Sequence, residues 1–170
     1  MAASWPRPSK VNTSGAVDAA SRKGVQLLVV GYGNELRRDD GVGAKVAAAI
    51  AERNLPGVYA IACHQLTPEL TESIASATHV VFVDGALNTD GSVKCCEIEP
   101  DENSQVMTHA TNPRSLLALA KQAFGRCPPA SWLTIPVQDV DFGEELSPLA
   151  RQGFEIALEK IRLLAETRRY

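Results

Sequence analysis

From Val25 onward, short apolar runs alternate with stretches that are apolar on one face only. Val25 to Val30 is apolar except for Gln26 and is closed by Gly31, the pattern of a strand buried on both faces. Val42, Val46, Ala49 and Ile50 fall at i, i+4, i+7 and i+8, which predicts a helix that Leu55-Pro56-Gly57 ends. Val58 to Ala62 predicts a second strand. His79 to Val83 predicts a third, ending at Asp84-Gly85. Ser92 to Ile98, entered through the turn Asn88-Thr89-Asp90-Gly91, predicts a fourth, and Ser131 to Ile135 a fifth. Three further helices share one start signal, a capping residue ahead of proline, at Thr67-Pro68, Asn112-Pro113 and Ser147-Pro148. The helix from Pro113 is expected to turn Leu116, Leu117, Ala120 and Phe124 inward and to stop at Gly125. The last helix carries Phe154, Ala157, Leu158 and Ile161 on one face.

The order β-α-β-α-β-β-α-β-α predicts an α/β fold, a three-layer α/β/α sandwich around a mostly parallel twisted sheet. The strand from Ser92 follows a short turn, so it is expected to pair antiparallel at an edge. Residues 1–23 hold no periodic apolar face and read as a disordered N-terminal tail, leaving residues 24–170 as a single domain. In such a sheet, ligands sit beyond the carboxyl ends of the strands. Chemistry is therefore sought in residues 31–43, in residues 84–86, and in the loops after Ile98 and Ile135.

Composition removes whole classes. The chain has 170 residues, 45% hydrophobic and 22% charged, with a formal net charge of −3. That is enough for one buried core and argues against a nucleic-acid or membrane-surface binder. No apolar run approaches the ~18 residues of a membrane helix. The four cysteines, Cys63, Cys95, Cys96 and Cys127, form no C-x-x-C pair. They read as reduced thiols of a cytoplasmic protein rather than as a zinc site.

The densest chemistry lies in Gly31-Tyr32-Gly33-Asn34-Glu35-Leu36-Arg37-Arg38-Asp39-Asp40-Gly41-Val42-Gly43. A dinucleotide loop needs a third glycine where Leu36 stands, and Glu35, Asp39 and Asp40 would repel a pyrophosphate. What the loop offers is paired carboxylates entering a helix. One of Asp39 and Asp40 can cap that helix, leaving the other free. Asp84 is a second candidate, at the end of a strand expected to be central, with a turn residue as its plainer reading. His109, just before Asn112-Pro113, is a third, and His64 could line the same cleft. His79 is expected to hydrogen-bond locally. Two carboxylates and an imidazole suit a transition metal with open positions. Asp139, Asp141, Glu144 and Glu145 read as a solvated acidic loop.

These residues resemble a known family. Gly31-Tyr32-Gly33-Asn34, Leu36 and Asp39-Asp40-Gly41-Val42-Gly43 look like the opening signature of the hydrogenase maturation endopeptidases. Val83-Asp84-Gly85-Ala86, Thr108-His109, and Val137 with Gly143-Glu144-Glu145-Leu146-Ser147-Pro148 resemble the family's later motifs, in order. His64-Gln65-Leu66-Thr67-Pro68-Glu69-Leu70 is less general in the family. The resemblance implies an endopeptidase that removes a short C-terminal peptide from the nickel-loaded large-subunit precursor of a nickel-iron hydrogenase. It implies metal contacts at Asp40, Asp84 and His109, and catalytic acids at Asp40 and Asp39. It implies no permanently bound cofactor, because nickel arrives with the substrate. The enzyme is expected to be a monomer, with no nucleic-acid or membrane partner. A metal-dependent hydrolase of small peptides or esters, and a non-catalytic chaperone of the precursor, are the alternatives.

Overall fold

The computed structural model describes residues 26–87, 90–101 and 112–167. His109 and the tail over residues 1–23 lie outside the described residues. The strands are β1 (Leu27–Tyr32), β2 (Val58–Cys63), β3 (His79–Ala86), β4 (Lys94–Ile98) and β5 (Ala130–Pro136). The α-helices are α1 (Val42–Glu52), α2 (Thr71–Ser76), α3 (Pro113–Phe124) and α4 (Pro148–Thr167). Short 3-10 turns precede α1 at Arg38–Gly41 and α2 at Pro68–Leu70.

The five strands form one sheet in the order β2-β1-β3-β5-β4. All neighbours run parallel except β4 against β5, which is the expected antiparallel edge. Period-2 alternation divides the core. Leu27, Val29, Val81, Val83, Leu133 and Ile135 pack with α1 and α4 on one face. Leu28, Val30, Val80, Phe82 and Ala130 pack with α2 and α3 on the other. Both faces are covered, as a parallel sheet requires.

Local signals explain most of the element boundaries, and a few fail. The Asn112 side chain accepts from the Ser115 N–H at 3.0 Å while the Ser115 hydroxyl bonds back to Asn112 N–H, a reciprocal cap for α3. Ser147 Oγ accepts from Ala150 N–H at 3.2 Å and caps α4. Thr67 makes no such cap, and the chain after it forms a 3-10 turn before α2. Neither Asp39 nor Asp40 caps the helix that follows them. Phe124 is 49% exposed rather than inward, since α3 is ending there and turns away at Gly125. β3 runs three residues past Val83 because Asp84, Gly85 and Ala86 pair with Thr134, Ile135 and Pro136 of β5. Asp84 is thus a strand residue, not a turn residue.

The sheet order places the topological switch between β1 and β3. From β1 the chain goes out to β2 on one side and returns to β3 on the other, which opens a crevice at the carboxyl ends of these strands. The loop leaving β1 carries Asp39 and Asp40, and Asp84 stands near the carboxyl end of β3.

Candidate active site

Close backbone contact brings the β1 loop onto the end of β3. Gly43, in the first turn of α1, lies so near β3 that an added Cβ would sit 2.3 Å from the Val83 carbonyl oxygen and 2.6 Å from that of Tyr32. Gly33 takes φ +137°, open to glycine, and an added Cβ there would sit 1.8 Å from the Asp40 carbonyl oxygen. The loop therefore folds back over its own start. Asp40 is fixed within it, its Oδ2 accepting from Asn34 N–H at 3.0 Å.

Asp84 belongs to a row of polar side chains that crosses the sheet. Tyr32 pairs with Cys63, and Asp84 with Thr134. Gly31 pairs with Val83, so Tyr32 stands next to Asp84. The row Cys63, Tyr32, Asp84, Thr134 lies on the α2/α3 face, at the carboxyl end of the strands. The Asp84 carboxyl is pushed up to about 6, first by burial and further by the nearby Asp40 charge, against hydrogen bonds from the Tyr32 hydroxyl and the Gly85 N–H that hold it down. The Tyr32 hydroxyl is held far above its ordinary range, by burial and by Asp84. The Cys63 thiol is pushed up to about 11 by burial, and its Sγ lies 3.7 Å from the Gly31 carbonyl oxygen. It is a protonated thiol at neutral pH, not a nucleophile.

The two adjacent acids have different surroundings. Asp40 is half-buried and close enough to Asp84 to raise its pKa. Asp39 is 0% exposed. Its Oδ2 accepts from Gln138 N–H and Asp139 N–H, both at 3.1 Å, and from the Ser147 hydroxyl at 2.7 Å. Its Oδ1 accepts from Ser147 N–H at 2.7 Å. Burial alone would raise this carboxyl, but the bonds from Ser147, Gln138 and Asp139 outweigh it and hold the pKa below the ordinary range. Asp39, to which the resemblance gives a catalytic role, has its carboxylate enclosed and its acceptors occupied, and it fastens the chain after β5 to the loop after β1.

The segment from Gln138 to Ser147 is correspondingly not a free acidic loop. Asp39 N–H donates to Asp139 O at 3.0 Å, Arg38 N–H to Gly143 O at 2.7 Å, and Gly143 N–H to Leu36 O at 2.9 Å. Arg37 Nε donates to Val140 O at 3.1 Å, and Arg38 pairs with the Asp139 carboxylate. A strap thus closes one side of the crevice. His64 follows the end of β2 and is exposed. His79 is buried at the opposite end of β3, its Nε2 3.1 Å from Ser131 Oγ, so it has no part in the crevice. Among the described residues no helix is long and apolar enough to cross a membrane, and no group of three or more His, Cys, Asp or Glu side chains forms a metal site.

The same fold occurs in solved hydrogenase maturation proteases. The chain is similar to the hydrogenase maturating endopeptidase HybD from E. coli (TM-score 0.64, 22% identity, 84% of this chain and 93% of that one). It is similar to the nickel-iron hydrogenase maturation protease HycI from Thermococcus kodakarensis KOD1 (TM-score 0.63, 22% identity, 89% of this chain and 100% of that one). It is also similar to the hydrogenase 2 maturation peptidase from Thaumarchaeota archaeon SCGC_AB-539-E09 (TM-score 0.61, 22% identity, 82% and 97%). No protein-family model matches the sequence, and no curated protein matches it significantly. At these identities the likeness is one of fold, and it covers nearly the whole of each neighbour.

Proposed function

We propose that this chain is a hydrogenase maturation endopeptidase, which removes a short C-terminal peptide from the nickel-loaded large-subunit precursor of a nickel-iron hydrogenase. The observation that carries the reading is the pair Asp40 and Asp84 at the switch point of a sheet shared with solved maturation proteases. Nickel belongs to the substrate. Asp40 and Asp84 contact it while the precursor's thiolates still hold it, and His109 is the third contact on the strength of its sequence motif. Oxygen and nitrogen donors with open positions suit such a shared ion. Burial, with a smaller contribution from the Asp40 charge, holds the Asp84 carboxyl at about 6, and a cation beside it favours the ionised form, so recognition is coupled to loss of any proton Asp84 carries. The scissile bond is then held where a water can be activated at the metal or by Asp40 as a general base.

The test mixes the purified protein with large-subunit precursors, with and without nickel, and reads the precursor C-terminus by mass spectrometry. Nickel-dependent loss of a C-terminal peptide, abolished in Asp40→Ala, Asp84→Ala and His109→Ala, is the expected result. An intact precursor that nevertheless binds would replace the peptidase with an escort. Asp40→Asn separates the two duties of that residue. If Asp40 is the base, cleavage stops while binding stays nickel-dependent; if it is only a metal contact, the nickel dependence of binding goes as well.

A further inference from the structure

One buried donor on the face of the sheet that carries Asp84 lacks an acceptor. Trp132 lies on β5, paired with Phe82 of β3 on one side and with Cys96 of β4 on the other. It packs on the α2/α3 face, as Tyr32 does. In the strand order β1-β3-β5, Tyr32 and Trp132 flank β3 from opposite sides, Tyr32 level with Asp84 and Trp132 level with Phe82. The Trp132 indole N–H is buried and has no hydrogen-bond partner among the described residues. A buried donor without an acceptor is costly, and a phenylalanine would pack here without that cost. The group it acts on is the Tyr32 hydroxyl. Burial and then Asp84 raise the pKa of that hydroxyl, and Trp132 pulls in the opposite sense, as a donor to the phenol oxygen does. The Tyr32 hydroxyl in turn donates to the Asp84 carboxylate.

The chemistry of the three groups fixes a direction. An indole N–H only donates, an ionised carboxylate only accepts, and a phenol does both. The proton between Tyr32 and Asp84 therefore comes from Tyr32, and the Trp132 N–H meets the phenol oxygen. Both donors point the same way, so each strengthens the other. Resting on the function proposed above, we infer that Trp132 and Tyr32 are positioning residues, a two-donor relay that holds one oxygen of Asp84 and leaves the other for the substrate's nickel. Outer partners of this kind orient metal-binding side chains and tune their affinity.

Two measurements test the relay. The first needs no substrate. Trp5 and Trp132 are the two tryptophans of the chain, so in Trp5→Phe protein the single indole N–H resonance in a proton–nitrogen NMR spectrum belongs to Trp132. Tyr32→Phe keeps the ring and removes the hydroxyl, so an upfield move of that resonance reports the lost acceptor. A resonance that does not move overturns the relay. The second compares the Kd for nickel-loaded and nickel-free large-subunit precursor, using the full-length protein with thermal melting as the folding control. In Tyr32→Phe the advantage of the loaded precursor falls by about tenfold while the nickel-free Kd is retained. Trp132→Phe lowers that advantage in the wild-type background and leaves it unchanged in the Tyr32→Phe background, because the indole acts through the phenol. Equal loss of affinity for both precursors, or a Trp132→Phe effect of the same size in both backgrounds, reduces the two aromatics to packing and overturns the proposal. Wild type that binds both precursors alike overturns Asp84 as a metal contact and with it the use assigned to the relay, whose existence the indole resonance still decides.

Discussion

Asp84→Asn should make the protein more stable while making it inactive. The wild-type carboxyl titrates at about 6, against an ordinary 3.8, chiefly because it is buried and because Asp40 is near. A carboxyl raised in the folded state favours folding while protonated, and the advantage is lost as pH rises through the folded value. At about 1.4 kcal/mol per pH unit, ionised Asp84 costs the native state about 3 kcal/mol above pH 6. Asparagine is close in shape, keeps an oxygen to accept from the Tyr32 hydroxyl, and carries no charge. Urea unfolding of the metal-free protein at several pH values from 4 to 8 reads the difference, with unchanged slopes as the check that only stability moved. The variant should match wild type near pH 4, pull ahead between pH 4 and 6, and lead by up to about 3 kcal/mol at pH 8. A variant no more stable than wild type at pH 8, or a difference that does not change with pH, would refute the account of Asp84 as an ion held at a cost for function.

Other consequences can be read in the same variants. Asp39→Ala leaves Ser147, Gln138 and Asp139 without their acceptor and should cost roughly 2–4 kcal/mol in urea unfolding. Because the Asp39 pKa is depressed, this contribution is present at neutral pH and fades as pH falls through the folded value, so the gap to wild type should close in acid. Gly43→Ala drives a Cβ into the Val83 carbonyl; melting should report a loss of about 1–3 kcal/mol, and cleavage should fall because Asp40 moves off Asp84. Tyr32→Phe removes a bond that holds the Asp84 pKa down, so the acid limb of the cleavage profile should move to higher pH with little change in melting temperature. Chelation with EDTA should leave the melting temperature of the purified protein unchanged, since the proposed metal belongs to the precursor.

Much of the architecture was legible because it rests on local signals. Apolar runs gave the strands, Asn112 and Ser147 ahead of prolines gave the starts of α3 and α4, and the short turn before β4 gave its antiparallel edge. Thr67 carried the same signal without forming the cap, so a cap residue before proline is permissive rather than sufficient. The crevice was legible as far as strand order implied it, since Asp40 and Asp84 had to flank the switch point. What escaped was set by register and by long-range bonds. Nothing in the local sequence says that Tyr32 stands beside Asp84 in a row with Cys63 and Thr134, because pairing register is a property of the whole sheet. Nor does an acidic, Gly-containing stretch announce that it is fastened. Asp39 and Ser147 lie 108 residues apart.

The division of labour between the two adjacent acids follows from the turn they sit in. Arg38 to Gly41 is a 3-10 turn, tighter than an α-helix, and successive side chains in it leave in widely different directions. One carboxylate is therefore free to face β3 only if the next points elsewhere. Asp39 points back into the strap, where four donors neutralise the cost of burying it. Asp40 is left facing Asp84 with a single backbone donor from Asn34. Fixing the strap and leaving Asp40 half-buried near Asp84 are thus one structural event. Substituting Asp39 by asparagine keeps size but removes the charge and turns one acceptor oxygen into an NH2 that faces donors. It should loosen the strap and raise the KM for precursor, while kcat, proposed above to rest on Asp40 and Asp84, changes less. If kcat fell as far as in Asp40→Ala with KM unaltered, Asp39 would belong to the chemistry after all, and the separation drawn from its burial would be wrong.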